Sequence, residues 1–213
     1  MNPKIPIGIC VIATWTASGH AQSVDPDQRY AWAENVGLLN FADAGDPAGS
    51  AAVEVQPEYL QGYIWGENIG WLRVGDGSGP YPNINGADSG VNVDLVSGEL
   101  TGFAWGENIG WVNFAGGASA SPPNPARIEG GRFRGYAWGE NIGWINLDDD
   151  TVYVGLESCP ADLNNDGALD FFDVSVFLSA YNTMNPIADL TGDGVFNFFD
   201  VSAFLGLYSA GCP

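Results

Sequence analysis

Apolar side chains alternate with polar or small ones in four stretches: YAWAENVGLLNF (30–41), YIWGENIGWLRV (63–74), FAWGENIGWVNF (103–114) and YAWGENIGWINL (136–147). A period of two predicts half-buried strands. Two such runs are separated by Gly-Glu-Asn-Ile-Gly in the last three stretches and by Ala-Glu-Asn-Val-Gly in the first, and the Asn-x-Gly end is turn chemistry, because Asn tolerates positive φ and Gly prefers it. Val53-Glu54-Val55, Val91-Asn92-Val93 and Arg127-Ile128 precede the second, third and fourth stretches. Each unit therefore reads as three short strands with the Glu-Asn turn between the second and third. The period changes near the C-terminal end, where FFDVSVFLSAY (171–181) and FFDVSAFLGLY (198–208) carry apolar residues three and four apart and predict two helices.

The four units form a repeat array. Their first tryptophans, Trp32, Trp65, Trp105 and Trp138, are spaced 33, 40 and 33 residues apart. The first unit has Ala33, Val36 and Leu38 where the others have Gly, Ile and a second Trp, as a capping repeat does. It also lacks a leading Val-x-Val strand, while Val152-Tyr153-Val154 follows the fourth unit with nothing after it to pair with. The last strand can complete the first unit, and closure removes exposed sheet edges. A closed antiparallel array is therefore expected over an open solenoid. Asp148, Asp149 and Asp150 are expected to form a solvated turn before the last strand, in preference to a further cation site.

Two acidic loops, DLNNDGALDFFD (162–173) and DLTGDGVFNFFD (189–200), recur 27 residues apart with oxygen donors at alternate positions. A calcium ion takes about 6 to 8 such oxygens from a loop that bends at glycine. The first loop offers Asp162, Asn164, Asp166, the carbonyl of Ala168, Asp170 and Asp173 around Gly167. The second offers Asp189, Thr191, Asp193, the carbonyl of Val195, Asn197 and Asp200 around Gly194. Two calcium ions are expected, the second held more weakly because Thr191 replaces a carboxylate or amide. Both loops end in Asp instead of the usual Glu, and Cys159-Pro160-Ala161 before the first cannot form an entering helix.

A duplicated calcium loop followed by an exiting helix resembles a dockerin, of the type I-like kind, over Cys159 to Pro213. The resemblance implies a small α-helical module that plugs, calcium-dependently, into a cohesin or another cell-surface protein. Dockerins commonly present small hydroxyl residues just after the ninth loop position, where this chain has Phe171-Phe172 and Phe198-Phe199. Aromatics of that size are read as candidates for the module's own core. The alternative reading is two structural calcium sites with no partner. The GENIGW units in turn resemble repeats of other exported bacterial proteins, a resemblance that supplies no activity.

Cys159 and Cys212 bracket this module. A bridge between them would add about 3 to 4 kcal/mol on the chain-entropy model, which matters for a module whose core alone is marginal. Two free thiols are the competing reading. Export decides between them in favour of the bridge: residues 1–21 read as a signal peptide, with Lys4, an apolar run from Ile5 to Ala13, and Gly19 and Ala21 before the cut. No other apolar run approaches the roughly 20 residues of a membrane span. The expected destination is extracellular or cell-surface attached.

Beyond the leader the chain keeps no Lys and no His, five Arg, and all 26 acidic residues. Nucleic acid is not an expected partner, because phosphate contacts need cations. Histidine-based triads, histidine zinc sites and lysine nucleophiles are likewise excluded. Polysaccharide remains a candidate ligand if Trp65, Trp71, Trp105, Trp111, Trp138 and Trp144 are exposed to stack on sugar faces, with Glu67, Glu107, Glu140, Asn68, Asn108 and Asn141 bonding hydroxyls. The reading favoured from the pattern is that the indoles form the core, since repeats stack by burying their recurrent apolar residues. A glycoside hydrolase would need two carboxylates facing one bond, and four equivalent glutamates, Glu34, Glu67, Glu107 and Glu140, single out no pair.

The expected organisation is a multi-domain protein: a signal peptide (1–21), an all-β antiparallel repeat array (22–154), a short linker (155–158) and an α-helical calcium-binding module (159–213). It reads as non-catalytic. The alternative is a polysaccharide-degrading component working through carboxylates.

Overall fold

The computed structural model describes residues 21–157, 159–164 and 169–211. The expected leader up to residue 20, Ser158, residues 165–168 (with the expected ligands Asp166 and Ala168) and Cys212 lie outside the described residues.

The first unit gives β1 (Gln22–Ala33) and β2 (Gly37–Asn40); the second gives β3 (Glu54–Val55), β4 (Leu60–Gly66) and β5 (Gly70–Gly75). The third gives β6 (Val91–Val93), β7 (Leu100–Gly106) and β8 (Gly110–Asn113). The fourth gives β9 (Arg127–Ile128), β10 (Phe133–Arg134), β11 (Tyr136–Gly139) and β12 (Gly143–Asn146), and β13 (Val154–Leu156) follows. The expected three-strand unit holds in units two and three, and in unit four with its second strand broken at Gly135 into β10 and β11. In unit two the turn is closed by the Ile69 amide on the Gly66 carbonyl at 3.1 Å, and Gly70 continues it at φ +76°. A tight turn followed by a left-handed glycine is a standard three-residue hairpin loop.

The four hairpins β1/β2, β4/β5, β7/β8 and β11/β12 pair side by side into a closed antiparallel barrel of eight strands. Closure is made by β12 against β1, with Trp32 opposite Asn146 and Ala33 opposite Ile145. The lower halves of the long strands make a second ring. There β13 and β3 both pair with β1, β3 with β4, β6 with β7 and β9 with β10. Single bridges, Tyr59 to Asn92, Glu99 to Arg127 and Arg132 to Gly155, complete this circuit. The final strand therefore does complete the first unit. It also reaches further than expected: Gly155 and Leu156, placed by sequence in a linker, are buried strand residues, and the Glu157 amide donates to the Ser23 carbonyl at 2.9 Å.

The core between the eight barrel strands is aliphatic. Ala31, Ala33, Leu39, Ile64, Leu72, Ala104, Val112, Ala137 and Ile145 point into the barrel, and Ile69, Ile109 and Ile142 of the turns are buried with them. Eight strands leave an interior just wide enough for side chains to fill. Phe41 and Phe133 meet edge-on at 5.6 Å and, with Leu60, Val91, Leu100 and Ile128, fill the second ring. Of the three acidic residues before β13, Asp148 corrects the expectation of a solvated turn: it is ion-paired to both Arg132 and Arg134 at 2.7 Å.

The C-terminal module has α1 (Phe171–Asn182) and α2 (Phe198–Ala210), as the change of period predicted. Asp170 and Asn197 cap them, and in each case the third helical residue, Asp173 or Asp200, bonds back to the cap, making a capping box. The two copies meet through Phe177 and Phe204, equivalent residues of the repeat, stacked at 4.2 Å and 5°. Ala161, Ala180 and Ala188 complete a small separate core.

Candidate functional site

The strand alternation that sends Ala, Ile and Gly inward sends every paired indole outward. Trp65 faces Trp71 across its hairpin with ring centroids 4.4 Å apart, Trp105 faces Trp111 at 4.6 Å, and Trp138 faces Trp144 at 4.7 Å. Tyr63, Phe103 and Tyr136 add a third ring to each pair, edge-on at 6.1 to 6.4 Å. Each tilted pair contributes about 0.5 to 1.5 kcal/mol beyond its area. The expectation that the indoles form the core is corrected: Trp71 is 46 % exposed, and Trp105, Trp111 and Trp138 are 37 to 38 % exposed. Small residues flank the first tryptophan on the inward face in the first, third and fourth units, and Gly66 does so on one side of Trp65; they are the sequence signal for this outward facing. An interior lined by Ala31, Ala33, Ala104, Ala137, Gly66, Gly106 and Gly139 has no room for indoles.

The rim amides have a structural job. Asn68 Nδ2 donates to the Val36 carbonyl at 3.0 Å, Asn108 to Ile69 at 2.9 Å and Asn141 to Ile109 at 2.9 Å, so each turn is tied to the turn before it. The ring closes through backbone, with the Asn35 amide on Ile142. Their Nδ2 groups are committed to the rim and not to a ligand's hydroxyls. Glu67, Glu107 and Glu140 are exposed and take no hydrogen bond among the described residues.

Where neighbouring hairpins meet, the outward rings and these glutamates line grooves. One of about 720 Å³ lies between the second and third hairpins and includes Trp71, Arg73, Trp105 and Glu107. A smaller one of about 620 Å³ lies between the first and second, where Leu38 and Asn40 occupy the places of Trp71 and Arg73.

In the C-terminal module the expected ligands of the second loop are all described. The Asp189 carboxylate accepts from the Asp193 and Gly194 amides at 3.2 and 2.8 Å, and Asp193 from Val195 at 2.8 Å. Asp200 accepts from the Asn197 amide at 2.9 Å and from the Thr191 hydroxyl and amide at 2.9 and 3.2 Å. These bonds, the Asn197 amide first, hold the Asp200 carboxyl below its ordinary value against the opposing effect of burial. In the first loop Asp173 likewise accepts from Leu163 and Asn164. With the carboxylates turned onto their own loop amides, no three acidic side chains among the described residues form a metal-holding group. The donor set nevertheless fits calcium chemically: every side-chain donor is a hard oxygen, and Gly194 bends the loop at φ +76°. Cys159 is disulfide-bonded.

Phe171, Phe172, Phe198 and Phe199, read from sequence as candidates for the module's core, are 64 to 74 % exposed instead. They occupy the first two positions of each helix, where the Phe172 and Phe199 amides donate to the capping side chains of Asp170 and Asn197. Leu178 and Leu205, also repeat-equivalent, are exposed as well.

No family model matches this chain, and no curated protein or solved structure shows significant similarity to it. No helix among the described residues is long and apolar enough to cross a membrane.

Proposed function

We propose that this is an exported, non-catalytic protein whose C-terminal dockerin-like module binds two calcium ions and docks onto a cohesin-type or cell-surface protein, displaying the β-barrel at that surface. The carrying observation is the placement of the two phenylalanine pairs: Phe171-Phe172 and Phe198-Phe199 stand exposed immediately after the ninth residue of each loop. Exposing four large apolar rings to water on so small a module is unfavourable unless a partner covers them. The ions would be held by Asp162, Asn164, Asp166, the Ala168 carbonyl, Asp170 and Asp173, and by Asp189, Thr191, Asp193, the Val195 carbonyl, Asn197 and Asp200. Calcium would then fix the loops from which both Phe pairs emerge.

Surface binding of the full chain to immobilised cohesin domains, with calcium and with chelator, tests this. Docking predicts calcium-dependent capture that Phe172→Ser together with Phe199→Ser reduces at least tenfold. Capture insensitive to both chelator and substitution, or none across a cohesin panel, sinks the proposal. A second reading concerns the barrel: its outward indoles favour carbohydrate binding over a purely structural array. The glycoside hydrolase alternative gains nothing comparable, because Glu34, Glu67, Glu107 and Glu140 each sit on their own rim turn.

A further inference from the structure

One position of the repeat breaks its own rule in the groove between the second and third hairpins. The residue two after the second aromatic position is Asn40, Asn113 and Asn146 in the first, third and fourth units, and Arg73 in the second. The three asparagines hold the chain that follows their strands. The Asn40 Oδ1 accepts from the Ala42 and Asp43 amides, that of Asn113 from Ala115 and that of Asn146 from Asp148. A guanidinium has no acceptor, so Arg73 cannot do this. It is also the most loosely held arginine among the described residues. Arg29, Arg127, Arg132 and Arg134 each lie 2.7 to 2.9 Å from a carboxylate, whereas Arg73 reaches Asp76 only at 4.0 Å and the Ser89 hydroxyl at 3.3 Å.

Around Arg73 the groove supplies the rest of a recognition site. Trp71 and Trp105 stand 46 % and 38 % exposed on its walls, Tyr63 is 37 % exposed beside them, and Glu107 has no hydrogen bond among the described residues. At about 720 Å³ the groove has the size of ordinary ligand sites. Flat aromatic faces, a forked donor and a free carboxylate acceptor together match a ligand with apolar ring faces and a rim of hydroxyls that both give and take hydrogen bonds. Charge decides the class further. The chain carries a formal net charge of −20, and Glu107 lies in the same groove as Arg73, so a polyanion is repelled by the molecule and by the site.

We propose that this groove binds neutral, hydroxyl-rich polysaccharide, with Trp71 and Trp105 stacking on sugar rings and Arg73 and Glu107 bonding their hydroxyls. The proposal rests on the carbohydrate reading of the barrel and gives that reading a site and a ligand class. The groove between the first and second hairpins also holds two indoles, Trp65 and Trp71, but it has Leu38 and Asn40 at the repeat places of Trp71 and Arg73, and without an arginine it is the weaker of the two.

Titration calorimetry and affinity electrophoresis of the full chain against laminarin, galactomannan and hydroxyethylcellulose, with polygalacturonate as the anionic arm, test it. The expected result is binding to at least one neutral polymer, weakened about tenfold or more by Arg73→Asn and by Trp105→Ala. Arg73→Asn installs the residue of the other three units, so the barrel's melting temperature is expected to hold. Binding that neither variant weakens overturns this groove while leaving carbohydrate binding elsewhere on the barrel. No binding to any polymer overturns both, and preference for polygalacturonate overturns the neutral class.

Discussion

Gly62, Gly102 and Gly135 are where each long strand passes from the second ring into the barrel. All three have positive φ, at +94°, +92° and +78°. A Cβ at Gly62 would fall on the Ala52 carbonyl, at Gly102 on that of Gly90 and at Gly135 on that of Pro125. These backbone oxygens belong to the segment leading into the same unit and cannot swing aside. Backbone strain of this kind costs about 1 to 3 kcal/mol before any overlap is counted. Gly102→Ala is therefore expected to destabilise the barrel by more than about 2 kcal/mol. Urea unfolding followed by tryptophan fluorescence measures this, because every tryptophan beyond Trp15 lies in the repeat units. Alanine at Gly130, which also has positive φ but meets nothing within 4 Å, is the control that separates overlap from φ strain.

At the scale of the element, one hairpin carries two jobs on two faces. Its inward face is aliphatic, its outward face aromatic, and its turn hands an amide to the neighbouring turn. Period, glycine and Asn-x-Gly made the hairpin, its turn and its repeat legible in the sequence. The facing was not legible, because Trp65 and Ile64 are both apolar and a period of two does not say which of two apolar faces is inside. The size of the flanking residues decides it, through barrel diameter, a property of eight strands and not of one. In the helical module the period likewise located α1 and α2, while the exposure of Phe171 and Phe198 was not legible, because residues ahead of the first full turn escape the three-four pattern. The rim amides give this scale its own test. Asn108→Ala removes one inter-hairpin hydrogen bond of 2.9 Å and should cost about 1 kcal/mol of barrel stability. Combined with Asn141→Ala on the next turn, the losses should add, since the two amides serve different carbonyls. Equal stability of wild type and double variant would show that the rim is held by the turns' backbone alone.

For the whole molecule, the two cores make different demands. The barrel closes on itself twice, so its strands have few free edges and it needs nothing further to hold together. Among the described residues the C-terminal module buries only five apolar side chains, Ala161, Phe177, Ala180, Ala188 and Phe204, completely or nearly so, and from Cys159 onward it carries seven Asp with no Lys or Arg. Beside its disulfide, the proposed calcium ions would be the remaining source of order. At calcium a hundred times each dissociation constant, binding adds about 2.7 kcal/mol per ion, a large share of what so small a core supplies. Removing calcium is therefore expected to unfold one module and spare the other. In the full chain, chelator should lower the melting temperature followed by helical circular dichroism by well over about 10 °C, while the melting temperature followed by near-ultraviolet tryptophan signal stays within about 2 °C. Asp200→Ala, which removes the carboxylate that joins the Thr191 and Asn197 ends of the second loop, should reproduce much of the chelator's effect with calcium present. Coincident shifts in both signals would mean that the two parts unfold as one, and an unmoved helical signal would mean that the disulfide and the Phe177–Phe204 stack suffice without metal.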